Sequence, residues 1–301
     1  DFSLSRGLGD VYKRQWRRGV NAGAEPNLPP LREVIAAYGL APLKRYGQHF
    51  LTDPRLIARI AAAAGDLTQH TVFEIGPGPG GLTRALLQAG ARQVIAIEYD
   101  QRCIEALQPL VHAYPNRLSV VTADALEADL AALAPGPRKI VANLPYNIST
   151  ALLTKWLAEI EHFDGLTLMF QKEVADRLTA SPRTKAYGRL SVLTQSLCEV
   201  YKAFDLAPGA FHPPPKVTST IVSIAPRGNA LPCPLKTLEA CTAAAFGQRR
   251  KTLRTSLKRW NQDPETVLAR AGISSAARAE ELTPEDFVRL ATASLEIQAT
   301  R

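Results

Sequence analysis

The sequence predicts an α/β fold: a Rossmann-like, mainly parallel sheet with helices on both faces, followed by a small all-α C-terminal domain. Three observations predict it. Short apolar runs bounded by turn residues alternate with helix-length segments through the first two thirds of the chain. A glycine-rich turn, Gly76-Pro77-Gly78-Pro79-Gly80-Gly81, joins the first of those runs to a helical pattern. Beyond the breaker cluster Pro226–Pro234 only helical patterns occur.

The elements follow in order. Residues 1–27 are rich in Gly and Arg with no sustained apolar period, and are expected to be a disordered leader or a scar foreign to the fold. After Pro29-Pro30 a short helix is expected at Leu31–Tyr38. Strands are predicted at Thr71–Ile75, Gln93–Glu98, Leu118–Thr122, Lys139–Ala142 and Gly165–Phe170. Helices are predicted at Arg55–Ala64, Leu82–Ala89, Gln101–His112, Leu126–Leu133 and Ser149–Glu161. Val200–Leu206 and Thr218–Ile224 follow one another without a comparable helix, which predicts an antiparallel pair at one sheet edge. The C-terminal helices are expected at Leu235–Phe246, Arg249–Trp260, Pro264–Ala271 and Pro284–Ile297. Asp263-Pro264 and Thr283-Pro284 each place a capping side chain before a proline at the first helical position. The domain boundaries are therefore a leader at 1–27, a Rossmann-like domain at 28–228, and a helical domain at 229–301.

Composition narrows the function classes. The formal net charge is +8 with a pI near 9.4, which favours a polyanionic partner. The most apolar helix-like stretch, Leu56–Ala64, is too short to span a bilayer and is interrupted by Arg59, so no membrane role is expected. With no apolar signal core either, a cytoplasmic protein is expected. Cys103, Cys198, Cys233 and Cys241 form no C-x-x-C pair and the five histidines are scattered, so reduced thiols and no metal site are expected.

The glycine loop satisfies G-x-G-x-x-G through Gly76, Gly78 and Gly81, and Glu98 closes the next strand, so a dinucleotide is the first rival ligand. The prolines argue against it. A pyrophosphate needs backbone N–H donors, and Pro77 and Pro79 have none. S-adenosyl-L-methionine has no phosphates and loses nothing there. Glu98 suits its ribose diol, and Asp124, after the third strand, suits its adenine amine.

Asn143-Leu144-Pro145-Tyr146 follows the fourth strand, which in an open α/β sheet puts it in the crevice beside the glycine loop. An exocyclic adenine nitrogen is a poor nucleophile because its lone pair is conjugated into the ring. The Asn143 side-chain oxygen and the Leu144 carbonyl can hold both N–H bonds and aim that lone pair at a methyl group. Pro145 locks the turn, and Tyr146 offers a stacking face to an extruded base.

On these motifs the chain resembles the bacterial small-subunit (16S) ribosomal RNA adenine dimethyltransferases, in which loss of activity gives kasugamycin resistance. The resemblance runs from about residue 40 to residue 298. It rests on Gly47-Gln48-His49-Phe50-Leu51, Glu74 to Thr83, Asn143 to Thr150, Phe170-Gln171-Lys172-Glu173-Val174, Lys185 to Ser191, Phe211-His212-Pro213-Pro214-Pro215-Lys216-Val217 and Ala245 to Arg254. It implies that His49, Leu51, Gly76, Glu98, Asp124 and Asn143 contact the cofactor, and that two adjacent adenines near the RNA 3′ end are each methylated twice. It also implies that Phe211 is a second aromatic wall for the target base; the plainer alternative is a core anchor for a rigid loop. Gln48 either orients the cofactor or caps the following helix. Trp156 and Phe163 are expected in the core.

No acidic residue lies between Glu239 and Asp263, while Arg249, Arg250, Lys251, Arg254, Lys258 and Arg259 accumulate. Positions 250, 254 and 258 are spaced by four, which predicts a cationic ridge on one helix face and phosphate contacts there. The expected partner is small-subunit ribosomal RNA within a pre-30S particle, and the expected state a monomer. Three alternatives stay open: a large-subunit rRNA methyltransferase of the macrolide-resistance type, a DNA adenine methyltransferase, and a non-catalytic assembly or transcription factor on the same scaffold.

Overall fold

The computed structural model describes residues 28–41 and 48–299. The expected leader at 1–27 and Gly47 lie outside them. The chain runs through α1 (Leu31–Ala37), β1 (Phe50–Leu51), α2 (Pro54–Ala63), β2 (Thr71–Ile75), α3 (Gly81–Gln88), β3 (Gln93–Glu98), α4 (Gln101–Ala113), β4 (Leu118–Thr122), α5 (Leu130–Leu133) and β5 (Arg138–Asn143). It continues with α6 (Ser149–Leu157), β6 (Gly165–Gln171), α7 (Lys172–Leu178), α8 (Arg189–Leu197), β7 (Cys198–Leu206), β8 (Phe211–His212) and β9 (Ser219–Pro226). The C-terminal helices are α9 (Leu235–Gly247), α10 (Leu253–Ser256), α11 (Pro264–Arg270) and α12 (Pro284–Ala299).

The seven-stranded sheet has the order β4-β3-β2-β5-β6-β9-β7, and its first five members pair in parallel. Every residue of β2 is buried, as a strand covered by helices on both faces requires. Its central Phe73 sits between Ile95 of β3 and Ile140 of β5. The chain goes from β2 to one side through β3 and β4, then returns to the other side at β5. That reversal opens a crevice at the carboxyl ends of β2, β3 and β5, the place where open α/β sheets bind ligands. Local chemistry sets the helices on the sheet. Asp53 caps α2 ahead of Pro54, and Asp100 caps α4 through the Arg102 amide. Gly80 starts α3 at a φ of 85°, where an added Cβ would stand 2.8 Å from Leu107 Cδ2.

The described chain divides into two compact units. The first comprises residues up to 155, 162–171 and 203–223; its core includes Leu86, Val94, Leu107, Val141 and Phe211. The second comprises 156–161, 172–202 and 224 onward; its core includes Tyr187, Val192, Leu238, Leu253, Phe287 and Leu290. The second unit thus draws in helices that precede the predicted boundary at 228/229. Tyr187, buried and donating to the Leu282 carbonyl at 2.8 Å, ties that earlier segment to the C-terminal helices. Trp156 and Phe163 are buried, as expected.

Several elements differ from expectation. Helix α5 is only the last turn of the predicted 126–133 helix. The Asp124 carboxylate takes the Leu126 amide and Asp129 takes that of Ala132, so side chains compete for the backbone. The predicted 149–161 helix stops at Leu157. Helices α7 and α8 and the β1–β8 pair were not predicted. The predicted helix 249–260 is instead a turn, the one-turn α10, and a 3-10 turn at Leu257–Arg259. The amides of Leu253 and Arg254 donate to the carbonyls of Ala277 and Ser275, which withdraws them from any helix entering from residue 249. Among the described residues no helix is long and apolar enough to cross a membrane.

Candidate active site

The glycine loop leaves β2 at Gly76, whose φ of 65° favours glycine and whose Cβ direction is open space. Three of the loop's four amides are engaged within the protein. Gly76 N–H donates to the Ile97 carbonyl at 2.9 Å, Gly78 N–H to Glu98 Oε2 at 3.2 Å, and Gly80 N–H to the Pro77 carbonyl at 3.0 Å. The intervening prolines have no N–H. The loop therefore offers close approach without the donor cradle that a pyrophosphate needs.

This loop floors a cavity of about 410 Å³, within the range of small-molecule sites. The cavity brings together Gln48, His49, Leu51, Gly76, Gly78, Glu98, Asp124, Asn143, Leu144, Pro145 and Tyr146. Glu98 is held by the amides of Tyr99 and Asp100 at 2.8 and 2.9 Å as well as that of Gly78. Burial still raises its pKa against those three bonds. Asp124 is exposed, with Oδ1 on the Leu126 amide at 2.8 Å. Gln48 donates to Asp100 Oδ2 at 3.1 Å, and Asp53 supplies the helix cap that was the alternative role for Gln48. Arg102, 2.6 Å from Asp100, and Gln48 hold that carboxyl below its usual range.

His49 links three segments. Its carbonyl accepts from Asn143 Nδ2 at 3.2 Å, and its Nδ1–H donates to the Pro213 carbonyl at 2.8 Å. Its ring stacks on Tyr146 with centroids 5.7 Å apart. The Asn143 amide is thereby oriented, with Nδ2 committed to His49 and Oδ1 the acceptor end. Tyr146 shares a hydrogen bond with Ser219 at 2.6 Å, which fixes the ring's tilt. Phe211 sits where the plainer alternative, a core anchor for a rigid loop, would put it. It is 4% exposed, pairs across strands with Leu51 and packs in the core, outside the residues that line the cavity.

Two residues escaped the sequence analysis. Ser219 stands 73 positions from its partner, beyond any local pattern. Glu74 was visible as the one charge inside an otherwise uncharged strand. It is 1% exposed, lines the cavity, and its Oε2 has no hydrogen-bond partner among the described residues.

These features test the fit of S-adenosyl-L-methionine. The open space over Gly76, the phosphate-free loop, the carboxylates at the ends of β3 and β4 and the unmatched acid of Glu74 suit a phosphate-free, cationic nucleoside.

In the second unit, Arg250, Lys251, Arg254 and Lys258 are exposed, whereas Arg249 is tied to Glu280 at 2.7 Å and to the Thr184 carbonyl. Arg254 lies 3.5 Å from Glu265. The single-helix, acid-free ridge is thus corrected on both counts. The cations sit on a turn and two short helical turns, and acids from outside the 239–263 window approach two of them.

A family model described as ribosomal RNA adenine dimethylase matches residues 42–294. The ribosomal RNA small subunit methyltransferase A of Paramagnetospirillum magneticum is 59% identical over 268 residues, 89% of this chain and 95% of that protein. The crystal structure of a dimethyladenosine transferase from Plasmodium falciparum superposes with a TM-score of 0.73 at 29% identity, over 83% of this chain and 98% of that one. The 23S rRNA methyltransferase ErmE superposes with a TM-score of 0.62 at 31% identity, over 81% and 98% of the two chains.

Proposed function

The chain belongs to the ribosomal RNA adenine dimethylase family, and from that premise we propose that it dimethylates the N6 amines of two adjacent adenines in the 3′-terminal hairpin loop of 16S ribosomal RNA. It is an S-adenosyl-L-methionine-dependent rRNA adenine N6 dimethyltransferase acting on the small subunit. The observation that carries the proposed chemistry is the Asn143 amide held by the His49 carbonyl.

When bound, the cofactor supplies a methyl group activated by its positive sulfur. The protein's own work is positioning, which can be worth roughly 7–11 kcal/mol. Asn143 Oδ1 and the Leu144 carbonyl accept the two N–H bonds of the target amine and turn its lone pair toward the donor. Pro145 fixes that carbonyl, and Tyr146, braced by Ser219, stacks on the extruded base. Glu98 would hold the ribose diol, Asp124 the adenine amine of the cofactor, and Gln48, His49, Leu51, Gly76 and Gly78 would complete its cradle. The product nitrogen loses its proton to water.

Arg250, Lys251, Arg254 and Lys258, with Arg249 bracing their turn, are proposed as phosphate contacts. The proposed setting is cytoplasmic, with a monomer acting on a pre-30S particle and contributing to small-subunit biogenesis. The identity to a small-subunit enzyme, about twice that to ErmE, supports this substrate over a large-subunit one. The test is methyl transfer from labelled cofactor to unmethylated particles of each subunit. Label in small-subunit RNA alone supports the proposal; label confined to large-subunit RNA refutes it.

A further inference from the structure

Glu74 stands apart from the groups used above. It is the fourth residue of β2, 1% exposed, and borders the cavity beside Gly76. Its carboxyl is buried, and the groups closest to hydrogen-bonding it, the amide and hydroxyl of Thr83 in α3, carry no charge and leave Oε2 without a well-formed bond. A buried carboxylate without a counter-charge or full hydrogen bonding is costly, and such a group binds a proton instead.

We propose that Glu74 is a proton-exchanging positioning residue: neutral in the free protein, it ionises as the cationic cofactor enters, so that binding releases a proton to solvent. The inference rests on the cofactor reading above and adds a coupling to it. Burial and the nearby Glu98 push the Glu74 carboxyl up to about 8, opposed by Thr83. The other charged and titratable groups around the cavity are Glu98 at the end of β3, Tyr99 and Asp100 after it, Asp124 after β4, Tyr146 after β5 and His49 before β1. Asp100 is neutralised by Arg102. The one titratable side chain of α3, Arg84, donates to the Pro29 carbonyl instead. Among the described residues of these elements no cation offsets Glu74, and a bound sulfonium would supply the positive charge. S-adenosylhomocysteine, whose sulfur is neutral, would drive the ionisation less. The device would thus favour substrate over spent cofactor increasingly as pH rises toward 8.

Calorimetry of the native protein with each cofactor, in two buffers of different ionisation enthalpy, measures the protons released. The expected result at pH 7 is a release approaching one proton with S-adenosyl-L-methionine and clearly less with S-adenosylhomocysteine. Affinity for the former should rise by up to tenfold per pH unit and level off above about 8. Glu74→Gln should bind the cofactor without the Glu74 part of that release and with a flatter pH profile; equal release and slope in the variant overturn the inference. A second readout needs no variant. The infrared difference spectrum of the native protein should show a protonated carboxyl band lost and a carboxylate band gained on cofactor addition, and its absence overturns the inference equally. No binding of either cofactor by the native protein would overturn the cofactor reading itself.

Discussion

The side-chain amide of Asn143 donates to the backbone carbonyl of His49 across 3.2 Å, joining the end of β5 to the segment ahead of β1. Because a carbonyl can only accept, this bond decides which end of the Asn143 amide is nitrogen. The oxygen is left as the acceptor, the polarity that a target amine requires.

Asn143→Ala removes that oriented acceptor, which matters most in the transition state. Turnover should fall by orders of magnitude while RNA affinity changes little. Single-turnover methylation alongside particle binding checks this. Equal losses in both would make Asn143 a binding residue.

Tyr146→Phe keeps the stacking ring and loses the bond to Ser219, itself buried. Turnover should be nearly native, with stability reduced by about 0.5–1.5 kcal/mol in denaturant unfolding. Tyr146→Ala should weaken capture of the base by about 1–3 kcal/mol, seen as a raised KM for the particle.

Gly76→Val places a branched side chain where φ is 65° and the Cβ direction is open cavity. Calorimetry should show cofactor binding lost. Tight NAD binding by the native protein would instead contradict the account of the loop, three of whose four amides are turned inward.

Replacing Arg250, Arg254 and Lys258 by Gln, with Arg249 left to brace Glu280, should weaken particle binding and leave cofactor binding intact. Each lost phosphate contact should flatten the salt dependence by roughly 0.7–0.9 in logarithmic slope. An unchanged affinity and slope would show these cations to be a solvated surface.

Much of the Rossmann-like sheet was legible in the sequence. β2, β3 and β4 match their apolar runs to the residue; in β2 and β3 this is because buried parallel strands leave continuous hydrophobic stretches, whereas β4, at the sheet edge, is mostly half-buried. Helix α8 was not legible: its buried Ser191, Val192, Leu193 and Thr194 are consecutive, without a helical period. Of the cavity's polar residues, Gln48, His49, Asn143 and Tyr146 stood in two local motifs, and Glu98 and Asp124 at strand ends. What distance decides was hidden. The Leu51–Phe211 pairing turns Phe211 into the core, the carbonyls of Ser275 and Ala277 break the supposed basic helix, and Glu265 and Glu280 reach cations that look unopposed in sequence.

Mass spectrometry can map the nucleotides modified when unmethylated small-subunit particles meet the protein and its cofactor. Two adjacent adenines near the 3′ end of 16S ribosomal RNA should each gain two methyl groups on N6, and neither should be modified by Asn143→Ala. Methyl groups on another base, on ring nitrogens, or on large-subunit RNA would contradict the proposed function.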